Sequence, residues 1–193
     1  MRQFLVLLFV VLIGLVGGGA LSWVSIQNNH GFGALTVGQW TAWPLAGSRD
    51  ADPYTRAKVA ADGEVPLGAA EGLAFHALTD EAGRPLRRQC QYRLSGQTPP
   101  ARYWTLAAHT LTGAVLSDGP VDSNRLLSHK ILRSSDGRFS LEVGPGLAGG
   151  NWLAVQGAGA YQLILRLYDS PITSTRGIVD PEMPRIELLG CEA

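Results

Sequence analysis

Four histidines, His30, His76, His109 and His129, are the side chains of this sequence best suited to move protons or hold a metal near neutral pH. No HxH or HExxH arrangement sets two of them on one face, so no metal site is expected. In GLAFHALTD, His76 shares an expected strand face with Ala74 and Leu78, the position of a sheet histidine satisfied by its neighbours. His109 closes RYWTLAAH, where a turn or rim role is the default. No GxSxG elbow precedes a helix, and the serines have no local base signature. No catalytic residue or cofactor is therefore assigned, although a triad assembled from distant positions would leave no local trace.

A glycine-rich run, GPGLAGGN at residues 144–151, raises the question of a phosphate cradle. It lacks the terminal Gly-Lys-Ser/Thr and leads into a strand pattern, so the helix N-terminus that holds phosphate is missing. The run reads as a hairpin loop. Asn151 is expected to hold that loop by bonding its own backbone. Trp152 reads as a core-closing residue, with an exposed binding aromatic as its second reading. Asn151 and Trp152, with Tyr103 and His109 at the two ends of the RYWTLAAH strand, are the candidate binding residues.

Cys90 and Cys191 are the two cysteines, 101 residues apart. In an oxidising compartment they form an even pair, and a disulfide is expected. In QCQYRL, Cys90, Tyr92 and Leu94 alternate with Gln89, Gln91 and Arg93, which turns Cys90 toward the core. No second Cys or His lies at ligand spacing from either one, which argues against metal binding by the pair.

The compartment is set by the N-terminus. From Phe4 to Ile26 there is no charged residue across 23 positions. At 1.5 Å per residue such a helix is about 34 Å long, enough for a hydrocarbon core of about 30 Å. Arg2 is the charge on its short flank, so the positive-inside rule keeps that flank cytoplasmic and sends the rest across. Trp23 then lies near the outer interface. A cleaved signal peptide is the competing reading, since Phe4–Val16 has the length of an h-region and Gly18-Gly19-Ala20 offers small residues. Apolar character continuing through Leu21, Trp23, Val24 and Ile26 favours an anchor. Gly14, Gly18 and Ser22 fall four apart, which would let another helix approach that face. The expected location is the inner (cytoplasmic) membrane, single-pass, with the C-terminal domain periplasmic or extracytoplasmic.

Composition agrees with one β-rich domain. Of 193 residues, 46% are hydrophobic, and 24 Gly and 11 Pro break the chain into short elements. Sixteen basic and 16 acidic side chains cancel, so no field draws the protein to nucleic acid. Residues 1–27 read as anchor, 28–50 as a tether and docking segment with Trp40 and Trp43 as buried wedges, and 51–193 as the domain. ADPYTRAKVAADG predicts one short peripheral helix, capped by Asp52, opened by Pro53 and ended by Gly63. From Leu73 the hydrophobic period becomes two, and GLAFHALTD, RQCQYRLSG, RYWTLAAHT, GRFSLEVG, YQLILRLYD and PRIELLG predict strands. The fold class is all-β, an antiparallel β-sandwich or jelly-roll-like domain with an N-terminal transmembrane helix.

YWTL at Tyr103–Leu106, the Asp-Gly of SSDGRFSLEV, and NWL followed by GAYQLILRLYDSP resemble the blocks of the bacterial domain of unknown function 1214 family, from about Leu73 to Pro171. This family usually has Pro after Asn-Trp-Leu; position 154 here is Ala. The resemblance implies that longer members join this domain to one called domain of unknown function 1254, and that short anchored members meet it as a separate protein. The expected function is an envelope binding or assembly module; the alternative is an envelope hydrolase with its site in a sandwich cleft or at the partner joint.

Overall fold

The computed structural model describes residues 2–28, 33–63, 65–68, 71–116, 124–173 and 181–191. The N-terminal run forms one helix, α1 (Arg2–Asn28), whose stretch from Arg2 to Val24 is long and apolar enough to cross a membrane and has none of its surface buried by the domain. The second helix, α2 (Pro53–Asp62), starts where the sequence places it: the Asp52 carboxylate accepts from the Tyr54 and Thr55 amides at 3.0 and 3.1 Å. Gly63, at φ 63°, takes the left-handed conformation that ends it.

The six strands predicted by alternation are all present: β3 (Gly72–Ala77), β4 (Cys90–Gly96), β5 (Tyr103–His109), β7 (Phe139–Gly144), β9 (Gln162–Tyr168) and β10 (Arg185–Cys191). Four short strands join them: β1 (Leu35–Val37), β2 (Trp40–Ala42), β6 (Arg125–Leu127) and β8 (Asn151–Ala154). With three or four residues each, they are too short to carry a period. β1 and β2 lie inside the stretch read as a tether and extend the larger sheet.

Two sheets result, one of six strands in the order β1-β2-β3-β9-β5-β6 and one of four in the order β10-β4-β7-β8. Their facing sides meet in one apolar core, with Phe75, Leu106, Leu163 and Leu165 from the larger sheet and Tyr92, Leu94, Leu141 and Leu153 from the smaller. Of the two expected wedges, Trp43 is only half-buried, while Trp40 is fully buried on β2 and its Nε1 donates to the Pro184 carbonyl, just before β10, at 2.7 Å. The two sheets are thereby tied across the core.

One expectation is corrected. The glycine run does not close a hairpin, because β8 lies parallel to β7, with Leu141 opposite Asn151 and Gly144 opposite Ala154. The chain must fold back along β7 before β8 begins, and Gly144, at φ 155°, starts that reversal against β4. A Cβ there would sit 2.8 Å from the Cys90 carbonyl oxygen.

The expected disulfide is present. Cys90 and Cys191 are register partners on β4 and β10 and are bonded, which closes a loop of 101 residues.

Candidate functional site

The side of the six-stranded sheet facing away from the core carries the polar and aromatic groups that converge most closely. Alternation puts Ala74 and His76 of β3, Gln162, Ile164, Arg166 and Tyr168 of β9, and Tyr103, Thr105, Ala107 and His109 of β5 on this face. Ile164 is 1% exposed and His109 is 3% exposed, so this face is covered at its centre.

Gln162 joins two of these strands. Its Nε2 donates to the Thr110 carbonyl at 2.9 Å, which leaves its Oε1 facing His76 Nδ1 at 3.1 Å. An amide oxygen only accepts, so His76 carries its hydrogen on Nδ1. The indole of Trp43 meets the same imidazole edge-on, with ring centres 5.4 Å apart.

His109 is held on both sides. Its Nδ1 lies 2.7 Å from the Gly113 carbonyl oxygen and its Nε2 3.3 Å from Arg166 Nη1. A carbonyl can only accept and a guanidinium can only donate, so the ring is neutral and hydrogenated on Nδ1. The turn or rim role expected of His109 holds in part: it sits where β5 enters the 110–114 turn, but buried. At the other end of β5, Tyr103 stacks at a tilt between His129 and Tyr168, at 5.7 Å from each ring centre.

Asn151 and Trp152 lie elsewhere, on β8 of the smaller sheet. Asn151 does not bond its own backbone; its Oδ1 accepts from Leu132 N at 2.7 Å, and its Nδ2 donates to the carbonyls of Leu132 and Ser140 at 2.8 and 3.0 Å. Its hydrogen-bonding capacity thus goes to pinning the 131–133 loop. Trp152 is half-buried, with Nε1 donating to the Gly144 carbonyl at 3.2 Å. It stands beside Glu142, which meets Gln91 at 3.1 Å and Arg93 at 3.5 Å. An open cavity of about 310 Å³ lies along this edge, lined by Arg133, Ser134, Ser140, Glu142, Gly150 and Asn151 among others. Arg133 also covers the Trp104 and Phe139 rings at 5.7 and 5.5 Å.

The four candidate binding residues are therefore split between two sheets, and Tyr103 and His109 occupy opposite ends of one strand. Nothing local in the sequence marks Gln162 and Arg166 as the groups that engage His76 and His109. Gly14, Gly18 and Ser22 lie on exposed surface of α1. His30 lies outside the described residues. No group of three or more potential metal ligands occurs among the described residues.

A two-sheet β-sandwich carrying an apolar N-terminal helix is the class these features define. The chain belongs to the family described as protein of unknown function (DUF1214), whose model matches residues 71–172. No curated protein matches the sequence. Among solved structures, the VPA0106 protein from Vibrio parahaemolyticus is similar at 16% identity and a TM-score of 0.57, over 72% of this chain and 36% of that one. An uncharacterised protein from Burkholderia cenocepacia aligns at 15% identity and a TM-score of 0.41, over 89% of this chain and 47% of that one. The first likeness shows a shared fold. The chain spans between about a third and a half of the length of these solved proteins.

Proposed function

We propose that the protein is a membrane-anchored binding and assembly module of the cell envelope, held at the inner membrane by α1 with its β-sandwich on the far side. The observation that carries this reading is α1 itself: 27 residues, of which the apolar stretch Arg2–Val24 has no part buried inside the domain. An apolar helix with no protein cover needs lipid around it. The Cys90–Cys191 bond supports an oxidising compartment. The partner in this reading is a protein carrying the domain of unknown function 1254, which the family resemblance implies.

The geometry around His109 favours a module over a hydrolase. Its Nε2, the nitrogen a nucleophile would use, already accepts from the Arg166 guanidinium. Affinity capture of the intact protein from solubilised membranes is the test. Co-purification of a companion-domain protein is expected, and a strictly monomeric protein in the native membrane would overturn the pairing. A phosphatase reporter fused after Ala193 tests the sidedness independently, with activity expected outside the cytoplasm.

A further inference from the structure

The segment between β2 and β3 exposes apolar side chains. Leu45 is 48% exposed, Tyr54 39% and Val65 90%. They are separated in sequence but joined in the fold. Gly47 lies so close to the Leu67 carbonyl that no Cβ would fit, which places the Leu45 turn against the stretch that follows Val65. Arg56 Nε and Nη2 donate to the carbonyls of Ala51 and Arg49 at 2.9 and 2.7 Å, which binds the turn after Leu45 to α2 near Tyr54. The Cα traces of α1 and α2 come within 8 Å of each other.

The position of the bilayer surface follows from α1. Trp23 is 66% exposed and belongs at the outer interface, and α1 ends at Asn28. Five residues of helix rise about 8 Å, comparable with the thickness of a headgroup layer. Leu35, at the start of the first strand after α1, pairs with Ala42 just before Leu45, so the Leu45 turn lies at the end of the sheet that α1 leads into, and the exposed apolar side chains there have the lipid surface as their nearest apolar phase.

We propose that the Leu45 turn, α2 and Val65 form an interfacial foot, with Leu45, Tyr54 and Val65 seated in the headgroup region of the bilayer that α1 crosses. This rests on the reading of α1 as a membrane span. The contact is apolar rather than electrostatic, because Arg49, Arg56 and Lys58 are offset by Asp50, Asp52, Asp62 and Glu64. A foot of this kind fixes the tilt of the domain and turns the His109 end of the larger sheet away from the membrane, since the segment runs into β3 at Gly72, the end paired with Tyr168.

The test uses the full chain in proteoliposomes, with an environment-sensitive fluorophore on single introduced cysteines and the native pair left bonded. Val65→Cys and Tyr54→Cys report on the foot, Leu111→Cys on the far end of β5, and Val16→Cys on α1. Lipid-borne nitroxides near the headgroup should quench the labels at 65 and 54 several-fold more than the label at 111, equally in zwitterionic and anionic vesicles. If the label at 16 is quenched by lipid while those at 65 and 54 match 111, the foot is refuted and the anchor stands. Quenching that requires anionic lipid would refute the apolar basis. No lipid quenching at 16 would remove the anchor and the foot together.

Discussion

Asn151 grips Leu132 from both sides of its backbone, accepting from the amide at 2.7 Å and donating to the carbonyl at 2.8 Å. One side chain thus takes the place of a strand neighbour and fastens the loop after β6 to the edge of the smaller sheet.

Replacing Asn151 by Ala should cost about 1–3 kcal/mol, because three hydrogen bonds are lost together. Asn151→Asp should cost more, since a carboxylate oxygen would then face two carbonyls. Urea denaturation gives the ranking, and faster hydrogen exchange at the Leu132 amide should accompany both. An unchanged midpoint for the Ala variant would show that the grip does not hold the loop.

The Cys90–Cys191 bond closes a loop of 101 residues, for which chain entropy gives a stabilisation of about 4–5 kcal/mol. Cys90→Ser and Cys191→Ser should each lower the denaturation midpoint by the amount that a reductant lowers it in the parent. Intact-mass analysis before and after reduction checks that the pair is bonded in protein isolated from the membrane.

Glycines in this chain are unequal. A Cβ on Gly72 would lie 2.0 Å from the Leu167 carbonyl oxygen on β9, whereas one on Gly149 would meet nothing within 4 Å. Gly72→Ala should therefore destabilise by about 1–3 kcal/mol through forced strand separation, and Gly149→Ala should be near neutral. Thermal melts of the two variants decide it; equal melting temperatures would contradict the packing described at β3.

Tyr161 and Tyr92 meet edge-on in the core, with ring centres 6.3 Å apart. Burial pushes the Tyr161 phenol far above its ordinary value, and the neighbouring Tyr92 adds to the shift. Tyr92 is raised as well, chiefly by burial, against an opposing hydrogen bond from the Arg87 amide. Above pH of about 10 the unfolded chain releases these protons while the folded chain keeps them, so stability falls as pH rises through that range. Tyr161→Phe should flatten this alkaline loss. It should also leave neutral-pH stability unchanged or improved, because the hydroxyl has no hydrogen-bond partner among the described residues. Phenolate absorbance followed against pH, alongside denaturation at each pH, measures both.

Local pattern sufficed for the long elements. The alternation of Phe139, Leu141 and Val143 records a strand with one buried side, and Asp52, Pro53 and Gly63 mark both ends of α2. Among the candidate sites the sequence was less informative. It singled out His109 and Asn151, whose side chains do make specific contacts, but not Arg166 or Leu132, with which they make them. Those partners lie 57 and 19 residues away, and no periodicity encodes a distance of that kind.

The amino-acid order alone determined the apolar N-terminal span, the capped helix, six strands and the cysteine pair, because each depends on neighbouring residues or on there being two thiols. Tertiary structure decided the strand order, the parallel seating of β8 on β7, the polar seam through Gln162, and the placement of the candidate residues on separate sheets. Alternation states which face of a strand is buried, but not which strand lies beside it. That choice depends on how side chains from distant parts of the chain fill one core together.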